Sequence, residues 1–126
     1  MGQPNGGGWS SILRNAEKAS AKFGYNEDTG YFGSRLKGKS RDLRTLISDD
    51  PIKDARELFR QLSEGGDIVP TDNPHQTLYL LPGGAYVSLR IVTSTEGSPA
   101  VEINVKSDKA NTKVKSQKIH FIKKGE

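Results

Sequence analysis

Gly84-Ala85-Tyr86-Val87-Ser88-Leu89-Arg90-Ile91-Val92 is the stretch that decides the architecture. Val87, Leu89 and Ile91 alternate with Tyr86, Ser88 and Arg90, and a period of two marks a strand with one buried and one solvated face. The same alternation returns in residues 99–106, with Val101, Ile103 and Val105 inward and Glu102, Asn104 and Lys106 outward. It returns again in residues 114–122, where Ile119 and Phe121 point inward and Lys118 and His120 outward. Upstream, residues 77–81 give one more strand, turned back by Pro82-Gly83-Gly84.

Before Gly66 the period is 3.6. Ser10 or Ser11 can cap a helix in which Ile12, Ala16, Ala19 and Phe23 share a face and Gly24 stops it. Residues 25–33 are turn chemistry with aromatic anchors. Residues 40–47 are expected to form a short helix with Leu43, Leu46 and Ile47 inward. The best-signed element follows: Asp50 at the N-cap, Pro51 at the first helical position, and an apolar stripe of Ile52, Ala55, Leu58, Phe59 and Leu62 ended by Gly65-Gly66. The expected fold is α+β, N-terminal helices packed on a C-terminal twisted antiparallel sheet of about four strands, with the other sheet face open. Residues 1–8 read as a flexible linker, or as a junction where a domain was cut from a longer chain. Residues 9–126 read as one domain, helical over 9–66 and sheet over 67–126.

Composition removes several classes of chemistry. With no cysteine among 126 residues, disulfides, zinc-thiolate sites and thiol nucleophiles are excluded. Two histidines, His75 and His120, do not make a His-rich metal site, so no metal or cofactor is expected. No apolar run approaches the roughly 20 residues that span a bilayer, and the N-terminal stretch lacks the pattern of a signal peptide. The net charge of +4 is unevenly spread, since residues 106–124 hold seven lysines and a single acid. A polyanion such as nucleic acid is the natural partner of such a segment, although a lysine-rich edge also protects a strand from aggregation.

The open sheet face gathers the chemistry. If the last three strands pair in chain order, Ser88 and Arg90, then Glu102 and Asn104, then Lys118 and His120 stand about 5 Å apart across the ladder. Cleavage of RNA without a metal needs a base for the ribose 2′-OH, an acid for the leaving 5′-oxygen and cations for the phosphoryl oxygens. His120 can serve as acid or base, Glu102 as the partner base, and Arg90 and Lys118 can hold phosphate. The bland reading is an ordinary cross-strand ion pair of Glu102 and Arg90, worth under about 1 kcal/mol when exposed.

Three segments together carry a resemblance. Residues 84–90 end in Arg90, residues 93–105 run Thr93-Ser94-Thr95-Glu96-Gly97-Ser98-Pro99-Ala100 into an alternating strand, and Gln117-Lys118-Ile119-His120-Phe121 closes the pattern. The chain thus resembles, over about 75 residues, the C-terminal toxin modules of bacterial polymorphic toxins, including contact-dependent growth inhibition effectors. Many such modules are similar to the barnase–EndoU–colicin–RelE group of metal-independent ribonucleases. The resemblance implies an antibacterial endoribonuclease, often one that cuts tRNA, delivered at the cell surface or secreted within a larger effector and acting in the target cell's cytoplasm. It also implies a cognate immunity protein, expected to be acidic, and makes elongation factor Tu a candidate host partner of a monomeric toxin domain. Carried over by position, it favours Arg90, Thr93, Ser94, Ser98, Lys118 and His120, with residues 93–98 as a phosphate cradle; Lys106 and Lys113 add basic contacts. Two other readings stay open: a DNase toxin, and a non-catalytic RNA-binding module that stacks bases on Tyr79 and Tyr86.

Overall fold

The computed structural model describes residues 10–92 and 97–125. Along the chain run helix α1 (Ser11–Phe23), strands β1 (Ser34–Arg35) and β2 (Leu43–Ser48), helix α2 (Pro51–Leu62), and strands β3 (Asp67–Val69), β4 (Gln76–Leu80), β5 (Tyr86–Arg90), β6 (Ala100–Asn104) and β7 (Gln117–Lys123). The expected linker at residues 1–8 lies outside the described residues.

Both helices start where their capping chemistry says, and α1 also stops there; α2 ends at Leu62 with Ser63 as its C-cap, short of Gly65-Gly66. Ser10 accepts a hydrogen bond from the Leu13 N–H, and Gly24 ends α1 in the left-handed conformation at φ 70°. Asp50 accepts from the Lys53 N–H at the start of α2, with Pro51 in the first turn. At the other end of α2 the buried Asn15 amide donates to the carbonyls of Leu62 and Glu64 at 2.8 and 3.1 Å. That bond ties α1 to α2 and satisfies acceptors that a helix C-terminus otherwise leaves unpaired.

The sheet corrects the sequence expectation. It has seven strands in the order β1-β2-β7-β6-β5-β4-β3 and is mixed, because β2 runs parallel to β7 while the other pairs are antiparallel. The sheet of about four antiparallel strands is its β4-β5-β6-β7 meander alone. Residues 40–47, expected to be helical, instead supply β2, and β3 adds an edge beyond β4. Leu43, Leu46 and Ile47 do fall at helical spacing, but only Leu46 packs against the core and Ile47 is exposed. Pairing with β7 wins because it provides a backbone partner for every residue of β2, continued by Lys118 N–H to Asp42 O and Lys124 N–H to Ser48 O. A parallel neighbour requires a crossover, and α2 leaves directly from β2: Ser48 Oγ donates to Asp54 and accepts from the Asp50 N–H.

The inward residues of the meander meet α2, and α1 packs against α2 on the same side. Val87, Leu89, Val101, Ile103, Ile119 and Phe121 join Ile12, Ala16, Phe23, Leu58 and Leu62 in one core. Phe121 meets Phe23 edge to face at 6.2 Å, and Phe59 meets Tyr79 likewise at 5.4 Å. Burying each such ring contributes about 1.5–3 kcal/mol. The turn at residues 25–33 is anchored as its aromatics suggest, with Tyr25, Tyr31 and Phe32 all buried. Gly30 is required there: at φ +81°, any Cβ would stand 2.0 Å from the Lys113 carbonyl oxygen. Among the described residues no helix is long and apolar enough to cross a membrane.

Candidate functional site

The face of the sheet away from the helices is ordered in cross-strand rows. Because directly paired residues project to the same side, the register fixes who stands beside whom. One row reads Leu43–Lys118–Glu102–Ser88–Leu78, and the next Thr45–His120–Ala100–Arg90–Gln76. Asn104 pairs with Tyr86 in a third. Ser88, Arg90, Glu102, Asn104, Lys118 and His120 therefore share one face over three consecutive strands. Thr45, Ala100 and Gln76 complete the second row; Thr45 was hidden because its segment reads as helix.

Glu102 and Arg90 do not form the ordinary ion pair. They stand diagonally, one row apart, and Glu102 directly faces Lys118 and Ser88. Among the described residues neither Glu102, Arg90 nor Lys118 is in a salt bridge; those present join Lys22 to Glu57 and Lys113 to Glu27. The charges at the centre of this face are thus not neutralised by one another.

His120 departs from its sequence expectation. Alternation places it on the polar face, yet it is 0% exposed. Thr45 and Ala100 flank it across the ladder, with Lys118 and Ile122 two residues away along its own strand. Its Nδ1 lies 2.9 Å from the hydroxyl of Ser98, which is itself buried. Burial, aided by the charge of Lys118, lowers the imidazole to about 4, so it is neutral at physiological pH. Among the described residues Nε2 is buried with no hydrogen-bond partner, and so is Nε of Arg90 on the other side of Ala100. Leaving such a group unsatisfied costs about 1–3 kcal/mol, and Ala100 between them has only a methyl group to offer.

Other expected residues fall as follows. Lys106 lies just past β6 and lines a cleft of about 350 Å³ with Asp42, Glu102, Asn104 and Lys118. Lys113 is not brought into these rows; it lies in the segment before β7 and meets Glu27 at 3.6 Å. Thr93 and Ser94 lie outside the described residues. Tyr79 is on the helix side against Phe59, so only Tyr86 of the two tyrosines presents a ring to the polar face. Among the described residues no group of three His, Asp or Glu side chains is placed to hold a metal ion.

No family model matches the chain, and neither a curated protein nor a solved structure matches it.

Proposed function

We propose that this chain is a toxin endoribonuclease domain that cleaves RNA by attack of the ribose 2′-OH. One observation carries the reading. His120 Nε2 and Arg90 Nε, both buried and both without a partner among the described residues, flank the small Ala100 on a face that also holds Glu102 and Lys118, in no salt bridge among those residues. A phosphodiester over Ala100 would give Arg90 an anionic acceptor and bring its oxygens beside Lys118. Burial and Lys118 disfavour a proton on His120, and a phosphate anion beside it would favour one, so the imidazole could accept a proton only with substrate in place. In the reaction the 2′-oxygen bonds to phosphorus and its proton passes to Nε2 or to the Glu102 carboxylate. The P–O5′ bond breaks, and the 5′-oxygen takes a proton from the Lys118 ammonium. The products are a 2′,3′-cyclic phosphate and a free 5′-OH. The nucleophile belongs to the substrate, so the residues present balance the step.

The burial of His120 favours a second reading, in which the imidazole is purely structural and the face binds RNA without cutting it. Incubating the protein with total RNA and with plasmid in EDTA separates the cases. RNA fragments ending in 2′,3′-cyclic phosphate support the ribonuclease. Bound but intact RNA supports the second reading, and nicking of plasmid only when a divalent metal is added points to a DNase. In the ribonuclease case the producing cell needs an inhibitor, and an acidic immunity protein over this face suits its charge.

A further inference from the structure

Beside the row that would hold the phosphate lies a pocket that shares Glu102 with the cleavage chemistry, while its Leu78, Tyr86, Ser88 and Asn104 take no part in that chemistry. Ser88, 4% exposed, forms the floor of a pocket of about 220 Å³ walled by Leu78, Tyr86, Gln76, Glu102 and Asn104. The floor is low because Ser88 stands between the larger Leu78 and Glu102 in its row. Among the described residues Tyr86 makes no ring contact and no side-chain hydrogen bond, although its side chain lines the pocket. Asn104 uses its carbonyl oxygen to accept the Lys106 N–H at 3.0 Å. Its amide NH₂ is thereby the group left to offer, beside the acceptor carboxylate of Glu102.

We propose that this pocket is a nucleobase subsite, in which the base stacks on Tyr86 and its edge is read by Asn104 and Glu102. Three features point to a base rather than to a sugar or a peptide. The volume takes one ring system; an aromatic face, an apolar wall at Leu78 and an adjacent donor and acceptor are the elements by which unstacked bases are held and read. The placement fits as well. Ser88 is diagonal to Ala100 across the β5–β6 pair, a separation of about 7–8 Å, the span from a nucleotide's phosphate to its own base. The larger cleft lined by Lys106, Lys118 and Asp42 has no aromatic ring, so it suits backbone rather than base. The inference rests on the ribonuclease reading for its phosphate, but it makes a claim of its own: this face distinguishes bases.

The test is binding, which needs no turnover. The chain is titrated with the four 3′-mononucleotides and with inorganic phosphate, following backbone amide signals by NMR. Each nucleotide should shift the Leu78, Tyr86 and Ser88 amides, whereas phosphate should shift only those near Ala100. Tyr86→Leu, at a half-buried position, should weaken nucleotide binding roughly five-fold or more and leave phosphate unchanged. Asn104→Asp, which replaces a donor by an acceptor, should reorder the four affinities. Nucleotides that bind no tighter than phosphate, or a Tyr86→Leu chain that binds them as before, would overturn the subsite even if RNA is cleaved in EDTA. Nucleotide binding in the pocket by a chain that leaves RNA intact would keep the subsite and remove the ribonuclease.

Discussion

Arg90 and His120 stand on either side of Ala100 in one cross-strand row, each with an inner nitrogen that is buried and without a partner among the described residues. Neither group is neutralised by Glu102, one row away on the same strand as Ala100. Each unsatisfied group opposes folding, and an anion bound over Ala100 would relieve that cost at Arg90.

Arg90→Ala is expected to reduce RNA cleavage by about 10²–10³-fold, the range for losing a group that meets developing negative charge. RNA affinity should fall much less, because Lys106 and Lys118 would remain to meet the backbone. The melting temperature should hold or rise, since a buried unpaired N–H is removed. Single-turnover rates, filter binding and thermal melting check this. Equal losses of rate and affinity would make Arg90 a plain phosphate anchor.

His120 makes the protein acid-sensitive. Its folded value of about 4 lies below the ordinary 6.5, so between those values the unfolded chain binds the proton that the folded chain refuses. The neutral imidazole therefore contributes its stability above about pH 6.5, and that stability is lost as pH falls toward 4, by roughly 2–3 kcal/mol. Urea unfolding at pH 7 and pH 4.5 measures the loss. In His120→Gln the difference between the two pH values should be clearly smaller, and growth of the expressing cells should recover.

Gln117 fastens the aromatic turn to β7. Its side-chain oxygen accepts the Phe32 N–H at 2.8 Å, and its amide donates to Gly30 O and Lys115 O at 2.9 and 2.7 Å. Gln117→Ala leaves the buried Phe32 N–H without its partner, while Gly30 O keeps the Lys115 N–H, and should destabilise by about 1–3 kcal/mol. It lies on the helix side of the sheet, so cleavage by the folded fraction should be near normal. Denaturation curves together with specific activity decide it.

Charge reversal should separate the lysines. Lys106→Glu and Lys118→Glu should each weaken RNA binding and lower the slope of log affinity against log salt by about one. Lys113→Glu should do less, because Lys113 pairs with Glu27 away from the rows. The same two reversals should slow association with an acidic inhibitor. Equal effects at all three positions would show that RNA follows net charge rather than this face.

The sequence by itself determined the local structure and the side of the sheet on which each group stands. Ser10, Gly24, Asp50 and Pro51 act on neighbours a few residues away, so capping chemistry set the helices wherever the chain went afterwards. Period-two alternation likewise put Arg90, Glu102, Lys118 and His120 on one face, and short connections made the meander legible. Tertiary structure alone decided three things. Leu43–Ser48 became a strand because its partner is β7, more than 70 residues on, and no local signal reports a parallel pairing at that distance. Lys113 went to Glu27 because its approach to β7 follows the Gly30 turn, which pattern does not position. His120 became buried and neutral because alternation assigns a side chain to a face but says nothing of what surrounds it there. Its charge state follows from how much water the packed neighbours leave, and that is fixed only when the strands are side by side.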